Sequence, residues 1–327
     1  MLLSGEKGLI KKVRDKTEEY NRNNVTRTKA YLDFYLRNPE VHWAFLAHMV
    51  SRNGGYHMTD LRGSAMDHLL TENEKEKYFV FLERANSSIF SDAYPQLLLY
   101  EEAKKNPVSL RTFLRFFHVS RFMYSIWELF LKEQNSKLLT MALIINEQRM
   151  LEDRIIKRFG YAELLAGIDF QLQEFFGFTT VVFPYKQKKP SKFYKLTGLS
   201  VERFEDPLHR ILTGKKLYSL LFHKKDVFEG VLKFAASSTH SASRADYWNT
   251  IFTSSLAHSS KKIYSPVLNS AWKDRTLDSA ALSDWFISET FIEDLRTEIM
   301  AGREDITNKV KDNLTAIKVM NEIKSII

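Results

Sequence analysis

Apolar residues return every three or four positions along most of the chain, the interval that lines one face of an α-helix. In residues 6–21 the stripe is narrow, with Leu9, Val13 and Tyr20 on one side of a basic segment. It is clearest at 137–159, where Leu138, Met141, Ile145, Leu151, Ile155 and Phe159 line up before Gly160. Between 41 and 53 it widens until no polar side is left: Trp43, Ala44, Phe45, Leu46, Ala47, Met49 and Val50. A helix that is apolar all round belongs at the centre of a fold, and His42 should be buried with it. Asn38-Pro39-Glu40 just before it reads as a helix start: a capping side chain, proline in the first turn, and a carboxylate at the positive end of the dipole. Asn24 or Thr26 reads as the cap of the helix before that. Further helices are predicted at 59–70, 73–86, 92–105, 108–119, 120–134, 161–176, 206–222, 225–237, 283–300 and 304–326.

One segment breaks the helical period. FTTVVFPY, residues 178–185, is β-branched and aromatic and ends near a proline, which predicts a strand. The lysine-rich YKQKKPSKFYK that follows reads as an exposed loop. With only 12 Gly and 7 Pro in 327 residues, the pattern predicts a mainly α, multi-helical fold. It divides into two helical subdomains, residues 1–178 and 179–327, with at most one short strand pair near residues 178–196.

Charge changes this picture in one place. Residues 186–262 hold 15 Lys and Arg against 6 Asp and Glu, whereas the rest of the chain holds 33 against 34. The whole net charge of +8 therefore sits in that segment, and an anionic partner (nucleic acid, a phosphate-bearing ligand or a membrane surface) would meet it there. Lys186, Lys188, Lys189, Lys192 and Lys195, interleaved with Tyr185, Phe193 and Tyr194, are the candidate anion-binding surface. The plainer alternative is a loop kept in water by its charge. Cysteine is absent, which excludes disulfides, thiolate catalysis and Cys-ligated metals from this chain. The amino end is broken by charge before a signal-peptide core can form, and no apolar run reaches the ~20 residues of a membrane helix. These features predict a cytoplasmic location.

Candidate chemistry gathers at HWAFLAHMVSRNGGYHMTDLRG, residues 42–63. Four of the nine histidines, His42, His48, His57 and His68, fall in this neighbourhood together with Asp60 and Asp67. Imidazole and carboxylate form the usual general acid–base pair, which makes His48 and His57 candidate bases and Asp60 the group that orients them. A metal site is not expected, because His42 and His48 lie on different sides of a helix. Asn53-Gly54-Gly55 reads as a helix stop with a chain reversal. Such a reversal would expose backbone N–H groups between Arg52 and a new helix starting at Thr59. Arg52, Asn53, Gly54, Gly55 and Thr59 are then candidate ligand-binding residues for something polar or anionic. His240, Ser241 and Asp246 stand close in sequence, but triads assemble in space and the spacing carries little weight. Phosphate-binding glycine loops, a nucleophile elbow and HExxH are absent, and no cofactor is implied.

NVTRTKAYLDFYLRNPEVHWAFLAHMVSRNGGYHMTDLRG (24–63), DPLHRILTGKKLYSLLF (206–222), SRADYW (243–248) and IYSPVLNSAWKD (263–274) together resemble the DUF2515 family, the Bacillus YppC-like proteins of the Firmicutes. The resemblance spans most of the chain. It implies a cytoplasmic bacterial protein and carries over no catalytic residue.

Three functions compete on these residues. The first is a non-catalytic binding or accessory protein with a polar pocket at the 48–63 turn. The second is an enzyme of unfamiliar type using His48 or His57, Asp60 and Arg52. The third is a binder of nucleic acid or an anionic surface through 186–262. The central position of the 41–53 helix is directly testable: Phe45→Ala should cost ~3–5 kcal/mol in chemical denaturation, as for other large core truncations, and a loss below ~1 kcal/mol would mean the core lies elsewhere.

Overall fold

The computed structural model describes residues 4–66, 69–106, 108–161, 180–186, 193–200, 206–258, 262–277, 284–286, 295, 299–301 and 305–324. His68, Asp67, the predicted 161–176 helix and Lys188, Lys189 and Lys192 lie outside the described residues. The fold is mainly α. Its two compact units interleave in sequence, one comprising Met1–His48, Arg84–Gly160 and Arg275–Glu298, the other Met49–Glu83, Tyr161–Asp274 and Ile299–Ile327.

The first unit is built from α1 (Ser4–Tyr20), α2 (Asn24–Arg37), the start of α3 (His42–Asp60), most of α4 (Glu72–Ala103), α5 (Leu110–Leu114), α6 (Phe122–Glu133) and α7 (Ser136–Leu151). The cap of α2 is Asn23, whose side chain accepts from Thr26 N while Thr26 accepts from Asn23 N, a capping box one residue earlier than predicted. Asn38 is not a helix start. It ends α2, donating its backbone N–H to Phe34 and Tyr35, and α3 begins only at His42. Phe45 and Val41 are fully buried as the apolar run required, but His42 is only half-buried.

The predicted helices at 73–86 and 92–105 are one helix, α4, with Pro95 inside it. Proline removes a single N–H, and the buried Tyr94, Leu97, Leu98, Leu99 and Tyr100 around it offset that loss by packing. The core of this unit also encloses a polar chain. Trp127 donates to Gln96 (2.8 Å), Gln96 and Asn146 donate to the Asp92 carboxylate (2.9 and 2.7 Å), and Trp285 donates to Asn146 (2.9 Å). Burial pushes Asp92 up to about 6, against the opposing pull of Arg154.

The second unit contains the rest of α3, β1 (Thr180–Tyr185), β2 (Lys195–Ser200), α8 (Pro207–Phe222), α9 (Lys225–Ser237), α10 (Ala245–Trp248), β3 (Phe252–Thr253), β4 (Ile263–Tyr264), α11 (Leu268–Ala271) and α12 (Thr307–Lys324). The predicted strand pairs antiparallel with β2, from Thr180 opposite Ser200 to Tyr185 opposite Lys195. A second pair, β3 parallel to β4, was not anticipated, because two-residue strands are too short to leave a periodic signal. Gly198 faces Val182 in the ladder, and a Cβ there would lie 1.9 Å from the Val181 carbonyl oxygen, so no other residue fits. The start of α12 docks on β2 through Ile306 N to Leu196 O (3.0 Å) and Leu196 N to Thr307 Oγ1 (2.9 Å).

Candidate functional site

The reversal predicted at Asn53-Gly54-Gly55 does not occur. α3 continues through both glycines to Asp60, and the chain turns only there, with Arg62 N and Gly63 N bonded back to the Thr59 and Asp60 carbonyls. The amide pocket expected at Gly54 and Gly55, and the new helix expected at Thr59, are therefore absent. Two helical glycines cost roughly 2 kcal/mol relative to alanine. Tertiary packing outweighs that cost, since Arg52, Asn53, Tyr56, Met58 and Thr59 beside them are all buried.

Each of these polar side chains has a specific partner within the second unit. Asn53 acts as a short third strand on the edge of β1: its Oδ1 accepts from Val182 N and its Nδ2 donates to Val182 O, both at 2.9 Å. Thr59 donates to the Ala242 carbonyl at 2.5 Å. Arg52 donates to Ser238 O (2.9 Å) and Tyr56 Oη (3.2 Å), lies 3.6 Å from the Asp246 carboxylate, and stacks on Phe234. Asp60 is gripped by Arg244 through Nε (2.8 Å) and Nη2 (2.7 Å), while Arg244 Nη1 donates to Tyr247 Oη (2.8 Å).

The result is a reciprocal exchange of charge. α3 supplies Arg52 and Asp60, the start of α10 in SRADYW supplies Arg244 and Asp246, and each cation meets the other element's anion. Asp246 also folds its own loop, accepting from Ser241 N (2.9 Å) and Ser241 Oγ (2.6 Å). Ala242 at its centre holds φ = 68°, a left-handed conformation that costs a non-glycine residue of order 1 kcal/mol.

Burial governs the titration of these groups. It raises Asp60 despite the opposing attraction of Arg244, and it would lower Arg244 were the pull of Asp60 and Tyr247 not larger. Asp246 stays below the usual carboxylate range because His240 and Ser241 outweigh its burial. His240, whose Nδ1 lies 3.5 Å from Asp246, is pushed down to about 4 by burial and is neutral at pH 7.

His48, Arg52, His57 and Asp60 all lie on α3. His48 Nδ1 stands 2.8 Å from the Thr28 carbonyl. His57 is buried on α3, and the carboxylate of Asp60 is engaged by Arg244. Sequence reasoning passed over Arg244 as a partner for α3. The available signal was the matched pair of signs, Arg52 and Asp60 against Arg244 and Asp246.

Beside the Asp60–Arg244 pair lies a cavity of about 40 Å³. Its walls are Gly63, Ala65 and Met66 after α3, Thr180 and Val182 of β1, Phe252, Ile263 and Tyr264, and Val310, Asn313 and Leu314 of α12. Of the candidate anion-binding lysines, Lys186 is exposed and Lys195 is paired with Asp305 at 3.1 Å. Among the described residues no three His, Asp or Glu side chains gather as a metal site, and no helix is long and apolar enough to cross a membrane.

The family model described as "Protein of unknown function (DUF2515)" matches residues 19–309. The chain is 39% identical over 289 residues to a Bacillus subtilis (strain 168) protein described as "Uncharacterized protein YppC", covering 86% of each chain. No solved structure matches.

The exchange predicts strong coupling. Asp60→Asn or Arg244→Gln alone should cost ~3–5 kcal/mol by leaving a buried charge unpaired, and the double variant should cost clearly less than the sum. Additive losses below ~1 kcal/mol each would show that the pair does not hold the unit together. His240 predicts a pH effect of defined sign. Its folded pKa lies below its unfolded one, so its contribution is complete above about pH 6.5 and is lost as pH falls toward 4. Denaturation of the native chain relative to His240→Gln should therefore worsen through that window, by at most ~3 kcal/mol. A pH-independent difference would contradict the assignment.

Proposed function

The chain belongs to the DUF2515 family, and we propose that it is a non-catalytic binding protein whose ligand enters the cavity beside Asp60 and Arg244. The observation that carries this reading is the composition of the cavity wall. One end presents a charge pair whose members already satisfy each other, and most of the rest is apolar: Met66, Val182, Phe252, Ile263, Val310 and Leu314. A pair so engaged is a poor proton donor or acceptor, because either transfer would strand a buried charge. It is well suited to fixing the orientation of a ligand's polar end while the apolar wall takes the body.

About 40 Å³ holds only two or three waters. A larger occupant needs one wall to yield, and α12 is the element suited to do so. Its Val310, Asn313 and Leu314 are only partly buried, and Lys311, Asp312, Thr315 and Ala316 on the same helix face solvent. The ligand class this favours is a small amphiphile, with a short aliphatic or aromatic body and one hydrogen-bonding end.

A thermal-shift series of short straight-chain alcohols and carboxylic acids tests the reading. At least one member should raise the melting temperature of the native chain, by mass action on the folded state. The shift should vanish in Leu314→Trp, which fills the cavity from α12. No shift with any member, or an equal shift in the filled variant, would rule the cavity out as the binding site.

A further inference from the structure

We infer that Asn313 sets the specificity of the cavity beside Asp60 and Arg244, and that the site takes an uncharged carboxamide with a short apolar body. This rests on the cavity being the binding site. The polar residues on its wall are Asp60, Thr180, Arg244, Tyr264 and Asn313. Asp60 and Arg244 hold each other through Nε (2.8 Å) and Nη2 (2.7 Å), and Thr180 Oγ1 shares a bond with Ser200 Oγ at 2.9 Å. Among the described residues, the Tyr264 hydroxyl and the Asn313 amide have no hydrogen-bond partner. Asn313 is the less expected of the two. It lies three residues after Val310 and directly before Leu314 on α12, so it shares the helix face that closes the cavity. An apolar residue would cost less there, both in helix propensity and in desolvation.

The charge of the ligand follows from the ion pair. Asp60 and Arg244 cancel, and no other residue of the wall is of an acidic or basic type. A carboxylate or an ammonium group would bring in a charge without a counter-ion, where burial already works against the charged form of Asp60. A neutral ligand avoids that cost. Among neutral groups the primary carboxamide matches Asn313 in full. Its carbonyl accepts from Nδ2 while its N–H donates to Oδ1, two bonds made at once in one plane. A hydroxyl makes only one of these from a given position, and a carboxylic acid is ionised at neutral pH. The apolar part of the wall, with Met66, Val182 and Phe252, takes the body.

The test compares four probes with the same short body: propionamide, propanol, propionate and propylammonium. Each is titrated against the full chain by thermal shift at pH 7 and constant ionic strength. Propionamide should bind roughly tenfold more tightly than propionate or propylammonium, the worth of one or two hydrogen bonds. Asn313→Leu should erase the advantage of propionamide over propanol. Asn313→Asp, equal in size, should weaken propionamide and admit propylammonium, because it sets an unpaired anion on the wall. Asn313 is only partly buried, so both variants should melt like the native chain without ligand, and if one fails to fold the other carries the test. Propionate or propylammonium binding the native chain as tightly as propionamide overturns the inference, as does an undiminished amide preference in Asn313→Leu. If propanol still binds in either case, the cavity remains the binding site and only its specificity is wrong. No shift from any of the four removes the site and the inference together.

Discussion

The second unit depends on one constraint: two buried cations and two buried anions must each find the opposite sign. Arg52 and Asp60 lie eight residues apart on α3, and Arg244 and Asp246 lie two apart at the start of α10. If either element folded without the other, it would bring unpaired charge into a low-dielectric interior, which costs several kcal/mol per ion. Joined, they cancel. The same contact orders the loop, because Arg52 holds the Ser238 carbonyl, Thr59 holds the Ala242 carbonyl and Asp246 binds Ser241. The left-handed conformation at Ala242 persists because the bonds on either side leave it no alternative.

The first unit meets the same difficulty differently. Asp92 receives two amide donors, and those amides are held in turn by the indole N–H groups of Trp127 and Trp285. Arg154 stands 3.7 Å away, too far for a tight ion pair. Hydrogen bonds from neutral groups compensate burial less fully than a bidentate guanidinium, and the raised titration of Asp92 toward about 6 reflects that. Burial raises Asp60 as well, although its guanidinium stands at 2.7 Å, whereas Asp246 is held below the usual range.

The helical nature of the chain was legible because it rests on a repeating pattern. Val41, Trp43, Ala44, Phe45, Leu46 and Met49 are buried, with Ala47 and Val50 partly so, and β1 with its partner falls at the strand signal in FTTVVFPY. Local punctuation was less informative. Asn38-Pro39 resembled a start and is a stop, and Asn53-Gly54-Gly55 resembled a stop and lies inside a helix. In each case a preference of about 1 kcal/mol per residue competed with the burial of large side chains next to it, and burial is worth more.

By itself the sequence determined a mainly α fold, the central place of the 41–53 segment, the concentration of positive charge in 186–262, and the absence of any thiol chemistry. These follow from composition and period, which need no knowledge of distant contacts. Tertiary structure alone decided which charge meets which. Asp60 and Arg244 are 184 residues apart, as Arg52 and Ser238 are 186 apart, and no local spacing encodes such a pairing. Tertiary structure also turned Asn53 from an expected turn residue into the side chain that completes the edge of β1. Propensity acts over a few bonds, whereas desolvation of a polar group is settled by whatever the rest of the chain packs against it.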